Sequence, residues 1–103
     1  MKIVNMTPHA IVVGERTYEP SGIVARIEQE SKVIGTIDGF EIEVNTVVGH
    51  NLPEFTEGTY LLVSAMVLTI AKELGRFDCI APNTNKAVRN DKGHIVSVPG
   101  FVA

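Results

Sequence analysis

The chain has 103 residues, 45% hydrophobic and 20% charged, which fits one core of ordinary size and excludes both a disordered chain and two separate domains. Its net charge of −3 excludes general nucleic-acid binding, which needs a basic surface, and its single cysteine, Cys79, excludes an intrachain disulfide and a multi-cysteine zinc site. No apolar run approaches the roughly 20 residues of a membrane span, and Met1-Lys2-Ile3-Val4-Asn5 lacks a signal-peptide pattern, so a soluble protein that is not exported is expected.

Ile3-Val4-Asn5 reads as a strand that stops at Met6-Thr7-Pro8-His9, because Pro8 removes a ladder donor and biases Thr7 towards extended geometry. Ala10–Val13 and Thr17-Tyr18-Glu19 form a small hairpin around Gly14, and Pro20-Ser21-Gly22 makes a second turn. Strand character returns in Ile23–Glu30 and Val33–Ile37. Asp38-Gly39 then lies between two alternating runs, a strong signal for a two-residue hairpin flanked by Ile37 and Phe40. In its second arm Phe40, Ile42 and Val44 share one face and Glu41 and Glu43 the other, as in a sheet with one solvated side.

Gly58 precedes a further strand, Thr59–Val63. One helix is expected over about residues 64–74, with Ser64 as N-cap and Gly75 just beyond its C-terminus. Val67, Ile70, Ala71 and Leu74 form its apolar stripe, while Met66 and Leu68 extend hydrophobicity around it. So apolar a helix is expected to pack both on its own sheet and on another copy of the chain, with Leu68 at that second contact. Phe77–Ala81, Ala87–Arg89 and His94–Val98 complete the strands. The sum is a single strand-rich α+β domain over residues 1–103, mainly antiparallel β-sheet with one apolar helix.

Signatures of catalysis are missing: there is no P-loop, no Gly-x-Gly-x-x-Gly, no His-Glu-x-x-His and no Gly-x-Ser-x-Gly. His9, His50 and His94 lack ligand-like spacing, and Cys79 in Phe77-Asp78-Cys79-Ile80 reads as a small buried hydrophobe rather than a thiolate nucleophile. Binding without a cofactor is therefore expected over catalysis. Positive charge gathers late, at Arg76, Lys86, Arg89 and Lys92, so an anionic ligand should look to the second half.

Three constellations stand out. Thr7-Pro8-His9 reads either as a strand break with a capping hydroxyl or as part of a site. Arg26, in the apolar stretch Ile23–Ile27, reads either as an exposed side chain or as a ligand or interface contact. Ala81-Pro82-Asn83-Thr84-Asn85 and Ala87-Val88-Arg89-Asn90-Asp91-Lys92-Gly93 combine amides, an Arg and loop backbone, which suits a nucleotide-like ligand as well as a plain solvated turn.

Together with Asn5-Met6-Thr7-Pro8-His9-Ala10-Ile11, Pro20-Ser21-Gly22-Ile23-Val24-Ala25-Arg26, Tyr60–Val67 and Val88–Val96, this pattern resembles the first-described family of phage anti-Thoeris sponge proteins. That family sequesters cyclic ADP-ribose isomers made by bacterial TIR-domain sensors, and some members also bind cyclic oligonucleotides. The resemblance implies a homo-oligomer, a dimer or higher up to a hexamer, in the cytoplasm of the bacterial host cell. It also implies ligand pockets at subunit junctions, built from stacking aromatics, Arg and Asn. Carried onto this chain, it makes Arg89 the ligand clamp, with Arg26, Asn83 and Phe77, and with Asn90 and His9 from the constellations above. The rival expectation is a phage protein-binding inhibitor or adaptor that uses the apolar helix or a strand edge.

Overall fold

The computed structural model describes residues 1–103. In chain order its elements are β1 (Lys2–Asn5), β2 (Ile11–Val13), β3 (Arg16–Tyr18), β4 (Ile27–Ile37), β5 (Phe40–His50), β6 (Thr59–Leu62), α1 (Ala65–Glu73), β7 (Cys79–Pro82), a 3-10 turn (Thr84–Lys86), β8 (Val88–Arg89), β9 (Ile95–Ser97) and β10 (Phe101–Val102). The α+β class holds, with four of the six strand pairs antiparallel.

The two parallel pairs are the structural centre. Tyr60-Leu61-Leu62-Val63 and Cys79-Ile80-Ala81 are near-continuous apolar runs, the composition of strands covered on both faces. They lie side by side in a four-stranded sheet of order β1-β6-β7-β10, in which β1 and β7 both run parallel to β6 and β10 closes one edge antiparallel. A parallel pair needs a crossover, and α1 supplies it between β6 and β7. Leu61, Val63, Cys79 and Ala81 join Val67, Leu68 and Ala71 of the helix, with Met6, Ala25 and Leu52, in one core cluster. Leu62 and Ile80, which point to the other face, are buried as well.

The helix starts where Ser64 Oγ accepts the Val67 N–H at 3.2 Å. It ends in a left-handed Gly75 at φ +80°, with the Gly75 and Arg76 N–H groups donating back to the Lys72 and Ala71 carbonyls. Its inward face is Val67, Leu68 and Ala71. Leu68, only 7% exposed, therefore belongs to the protein's own core, and the expectation of a second-copy contact through it is corrected; Met66, 73% exposed, and Leu74 are the outward apolar residues.

Just after the helix Arg76 forms a forked ion pair with Asp78, Nε to Oδ1 at 3.0 Å and Nη2 to Oδ2 at 2.9 Å, and Nη2 also donates to the Pro53 carbonyl at 2.7 Å. The Arg76 hydrogen bond holds the Asp78 carboxyl below the usual carboxylate range despite the opposing cost of burial. The pair's stabilisation is complete above that range, near pH 4, and is lost as pH falls through the depressed folded value. Asp78→Asn should cost about 2 kcal/mol at pH 7 and progressively less on acidification, measured as the gap in melting temperature between the two proteins from pH 7 to pH 2.

The remaining strands build outward from this centre. The β2–β3 and β8–β9 hairpins meet through the Val13–Val98 bridge, with the Val98 N–H donating to Val12 O at 3.0 Å. The β4–β5 hairpin has 11 residues in each strand and turns at Asp38-Gly39, both with positive φ (53° and 82°), the geometry of a type I′ turn. It projects away from the core, so that neither of its faces is covered and the side with Phe40, Ile42 and Val44 lies open rather than packed. The radius of gyration, 16.5 Å, exceeds the ~13 Å of a compact chain this long. The arm's root is fixed by Asn51, whose Oδ1 accepts the Arg26 N–H at 2.7 Å and whose Nδ2 donates to Val24 O at 2.9 Å, and by Ile27, which packs on the core.

Candidate functional site: a cleft between two hairpins and the central sheet

β1 ends on a buried polar hub. Asn5 Nδ2 donates to the His9 and Tyr18 carbonyls, both at 2.8 Å, and its Oδ1 accepts the Thr7 N–H at 2.9 Å and the Thr7 hydroxyl at 2.7 Å. An amide offers two donors and two acceptor lone pairs, so Asn5 is fully used. The chain after Asn5 is thereby folded into a tight turn that delivers His9 and Ala10 to the surface. Thr7 itself is buried, and its hydroxyl also lies 2.9 Å from the His9 carbonyl.

That turn forms one wall of a cleft of about 330 Å³, whose other walls are Ile11 and Val12 of β2, Ile95, Val96, Ser97 and Val98 at β9, and Pro82 and Thr84. Beneath it β3 is braced to β10 by an edge-to-face contact of Tyr18 and Phe101, centroids 5.8 Å apart; each of these pairs in register with a cleft residue, Ile11 and Pro82 respectively. Apolar walls with a few polar groups, here His9, Thr84 and Ser97, are the usual make-up of a small-molecule site.

Of the six residues expected at a site, one lines this cleft and two are neighbours of its lining in chain or register. His9 lines the cleft; Asn83 lies between the lining residues Pro82 and Thr84; Arg89 pairs in register with the lining residue Ile95. The Arg89 Nη1 donates to Gly93 O at 2.8 Å, closing the β8–β9 turn, and the rest of its guanidinium is exposed. Asn90 works inside that turn, its Oδ1 accepting the Lys92 and His94 N–H groups at 3.0 Å. Arg26 lies at the root of the arm, and Phe77, 78% exposed, lines a separate depression of about 350 Å³ with Phe55, Gly75, Arg76 and Asp78.

Sequence reasoning missed the Asn5 hub, Ser97 and the Tyr18–Phe101 brace, whereas Thr84 lies within the Ala81–Asn85 constellation. An Asn two residues before a Thr at a strand end, followed by Pro, is the signature of a side chain turning the backbone and was the available signal for Asn5. Burial pushes the Cys79 thiol up from its usual range, with the Asp78 charge adding to it, so the sulfur is held protonated inside the core. No three His, Cys, Asp or Glu side chains converge as a metal-binding group, and no helix is long and apolar enough to cross a membrane. Compared with protein-family models, curated proteins and solved structures, the chain matches none.

Proposed function

We propose that this protein binds a small anionic, nucleotide-type molecule without transforming it, and that the ligand is the cyclic ADP-ribose type of signal its sequence pattern resembles. One observation carries the reading: a cleft of ligand size, walled mostly by apolar side chains, with His9, Thr84 and Ser97 in its lining, Asn83 between two lining residues in the chain and Arg89 paired in register with the lining residue Ile95. The apolar walls exclude water from a base or ribose face, and a guanidinium with unused donors can clamp phosphate. Local potential rather than the net charge of −3 governs such capture. On this reading the protein acts as a sponge that blocks bacterial anti-phage defence, in the host cytoplasm and as a homo-oligomer.

A second reading, a protein-binding inhibitor or adaptor, is favoured by exposed Phe55 and Phe77 around the other depression. Incubation with cyclic ADP-ribose isomers separates the two: a sponge depletes the compound from solution and returns it chemically intact after heat denaturation. Absence of uptake at micromolar protein refutes the sponge. Within the sponge reading, Arg89→Ala should weaken binding about 10- to 100-fold, the worth of a charge-assisted hydrogen bond or two, whereas Phe77→Ala should change it less than twofold. Calorimetric titration of both variants decides whether the ligand sits in the cleft or in the Phe77 depression.

A further inference from the structure

The β4–β5 arm, residues 27–50, is a two-stranded ribbon whose strands pair only with each other. A ribbon of that kind has no larger sheet to fix its direction, so the joint at its root sets how it stands on the protein. Two chain segments cross the joint. On β4 Ile27 packs against the core; beyond β5 the next core residue is Leu52, 7% exposed. The Asn51 bonds to Arg26 and Val24 tie these two segments together at the root without reaching into the arm. One hydrogen bond remains between the arm and the rest of the protein: the Leu52 N–H donates to Nδ1 of His50 at 3.2 Å. No ion pair supplements it, since Arg76–Asp78 is the protein's only one.

We infer that His50 is a proton-operated release for the arm. A ring nitrogen accepts only while it carries no proton, so the bond requires the neutral imidazole with its hydrogen on Nε2. When the ring takes up a second proton both nitrogens become donors, and the bond gives way to a donor facing a donor. An imidazole changes charge between about pH 5 and 8, which no other side chain ordinarily does. The sign follows from the form that the bond selects. Attachment is complete where the ring is neutral and is lost as pH falls, because the detached state holds the extra proton. His50 is exposed, so the proton reaches it from solvent. The charged groups next to it in chain and register are Glu28 on the paired strand, whose carboxylate reaches over Gly49, Arg26 at the root, and Glu54 and the Arg76 donor to Pro53 beyond Leu52; none forms an ion pair with the ring. Release leaves Ile27 and the covalent chain as the joint, and the arm then swings against the central sheet with its own ladder intact. This inference rests on the arm's root and is independent of the cleft and of any assembly.

Hydrogen exchange followed by NMR, expressed as protection relative to the free chain at the same pH, reads the bond directly. In the wild type, protection of the Leu52 amide should fall about tenfold between about pH 7.5 and about pH 5.5, the worth of one neutral hydrogen bond. His50→Asn presents an oxygen to the same N–H, as in an Asx turn, and takes up no proton, so protection should stay high at both pH values. His50→Ala should stay low at both. Residual dipolar couplings of the β4 and β5 amides should fit one alignment with those of β6 and β7 at the higher pH, and shrink at the lower pH in the wild type but not in His50→Asn. A wild-type protection that ignores pH, a His50→Asn protein that shows the same fall, or an arm that keeps the alignment of the core at the lower pH overturns the proposal.

Discussion

Leu68→Glu should unfold the protein. The side chain is 7% exposed and packs in the cluster that joins α1 to β6 and β7. Its loss removes about 2–5 kcal/mol of packing, and the carboxylate that replaces it has no partner there, which adds a further penalty of several kcal/mol. A domain of this size holds roughly 5–15 kcal/mol in all, and only 16 of its 103 residues are buried, so little else is available to compensate. Loss of the cooperative thermal transition by circular dichroism is the expected result. Met66→Glu, two positions away on the outward side, should change stability by no more than about 0.5 kcal/mol. If both variants melt like the wild type, the helix faces have been assigned wrongly.

Asn5→Ala should cost about 2–4 kcal/mol, although it removes no apolar surface. Four hydrogen bonds end at that one side chain; of the groups left behind, the Thr7 N–H is buried, while the His9 and Tyr18 carbonyls belong to an exposed and a half-buried residue that water can partly serve. Each buried group so stranded costs on the order of 1–3 kcal/mol, and the retained Thr7 contact to the His9 carbonyl recovers part of it. Asn5→Asp tests the donors separately. It keeps an acceptor for Thr7 but aims a carboxylate at two carbonyl oxygens, so it should also destabilise at pH 7. Urea titrations give both values. Because the same hub sets His9 and Ala10 against the cleft, Asn5→Ala should lose ligand uptake as well, even under conditions where it remains folded.

The contrast between these residues shows what the sequence could and could not disclose. Asp38-Gly39 and the Ser64 to Gly75 frame carry their chemistry locally, in turn dihedrals and capping atoms, so the hairpin and helix ends were legible. The inward side of the helix was not, because Met66, Val67, Leu68, Ile70, Ala71 and Leu74 leave the apolar stripe too wide to orient by period. The parallel pairing of β1 with β6 was also invisible, since nothing in Ile3-Val4-Asn5 names a partner more than fifty residues away. An alternating β5 promised a covered face, yet alternation reports only amphipathicity and is silent on what supplies the cover. At the site, His9 comes to face Ile95–Val98 because β2 and β9 meet through the Val13–Val98 bridge, a long-range contact with no local signature, while Asn83 and Arg89 stay outside the lining. Arg26 and Phe77 were chosen for their chemical type, and the topology carries them elsewhere.

The pairing of β1 with β6 also sets an order of events during synthesis. Lys2 lies beside Thr59, so β1 has no ladder to join until 57 further residues have been made. At the usual ~5–20 residues per second that wait lasts about 3–11 s, long compared with the microseconds in which a local hairpin closes. The β4–β5 arm therefore forms while β1 is still unpaired. The β6–α1–β7 unit forms later, around its local crossover, and the N-terminal strand docks on it by closing the longest loop in the sheet. Until then Asn5 has neither its strand ladder nor the order around it, and the turn that walls the cleft cannot be held in place. The cleft is thus a late property of the nascent chain, formed only after the central sheet has accepted β1.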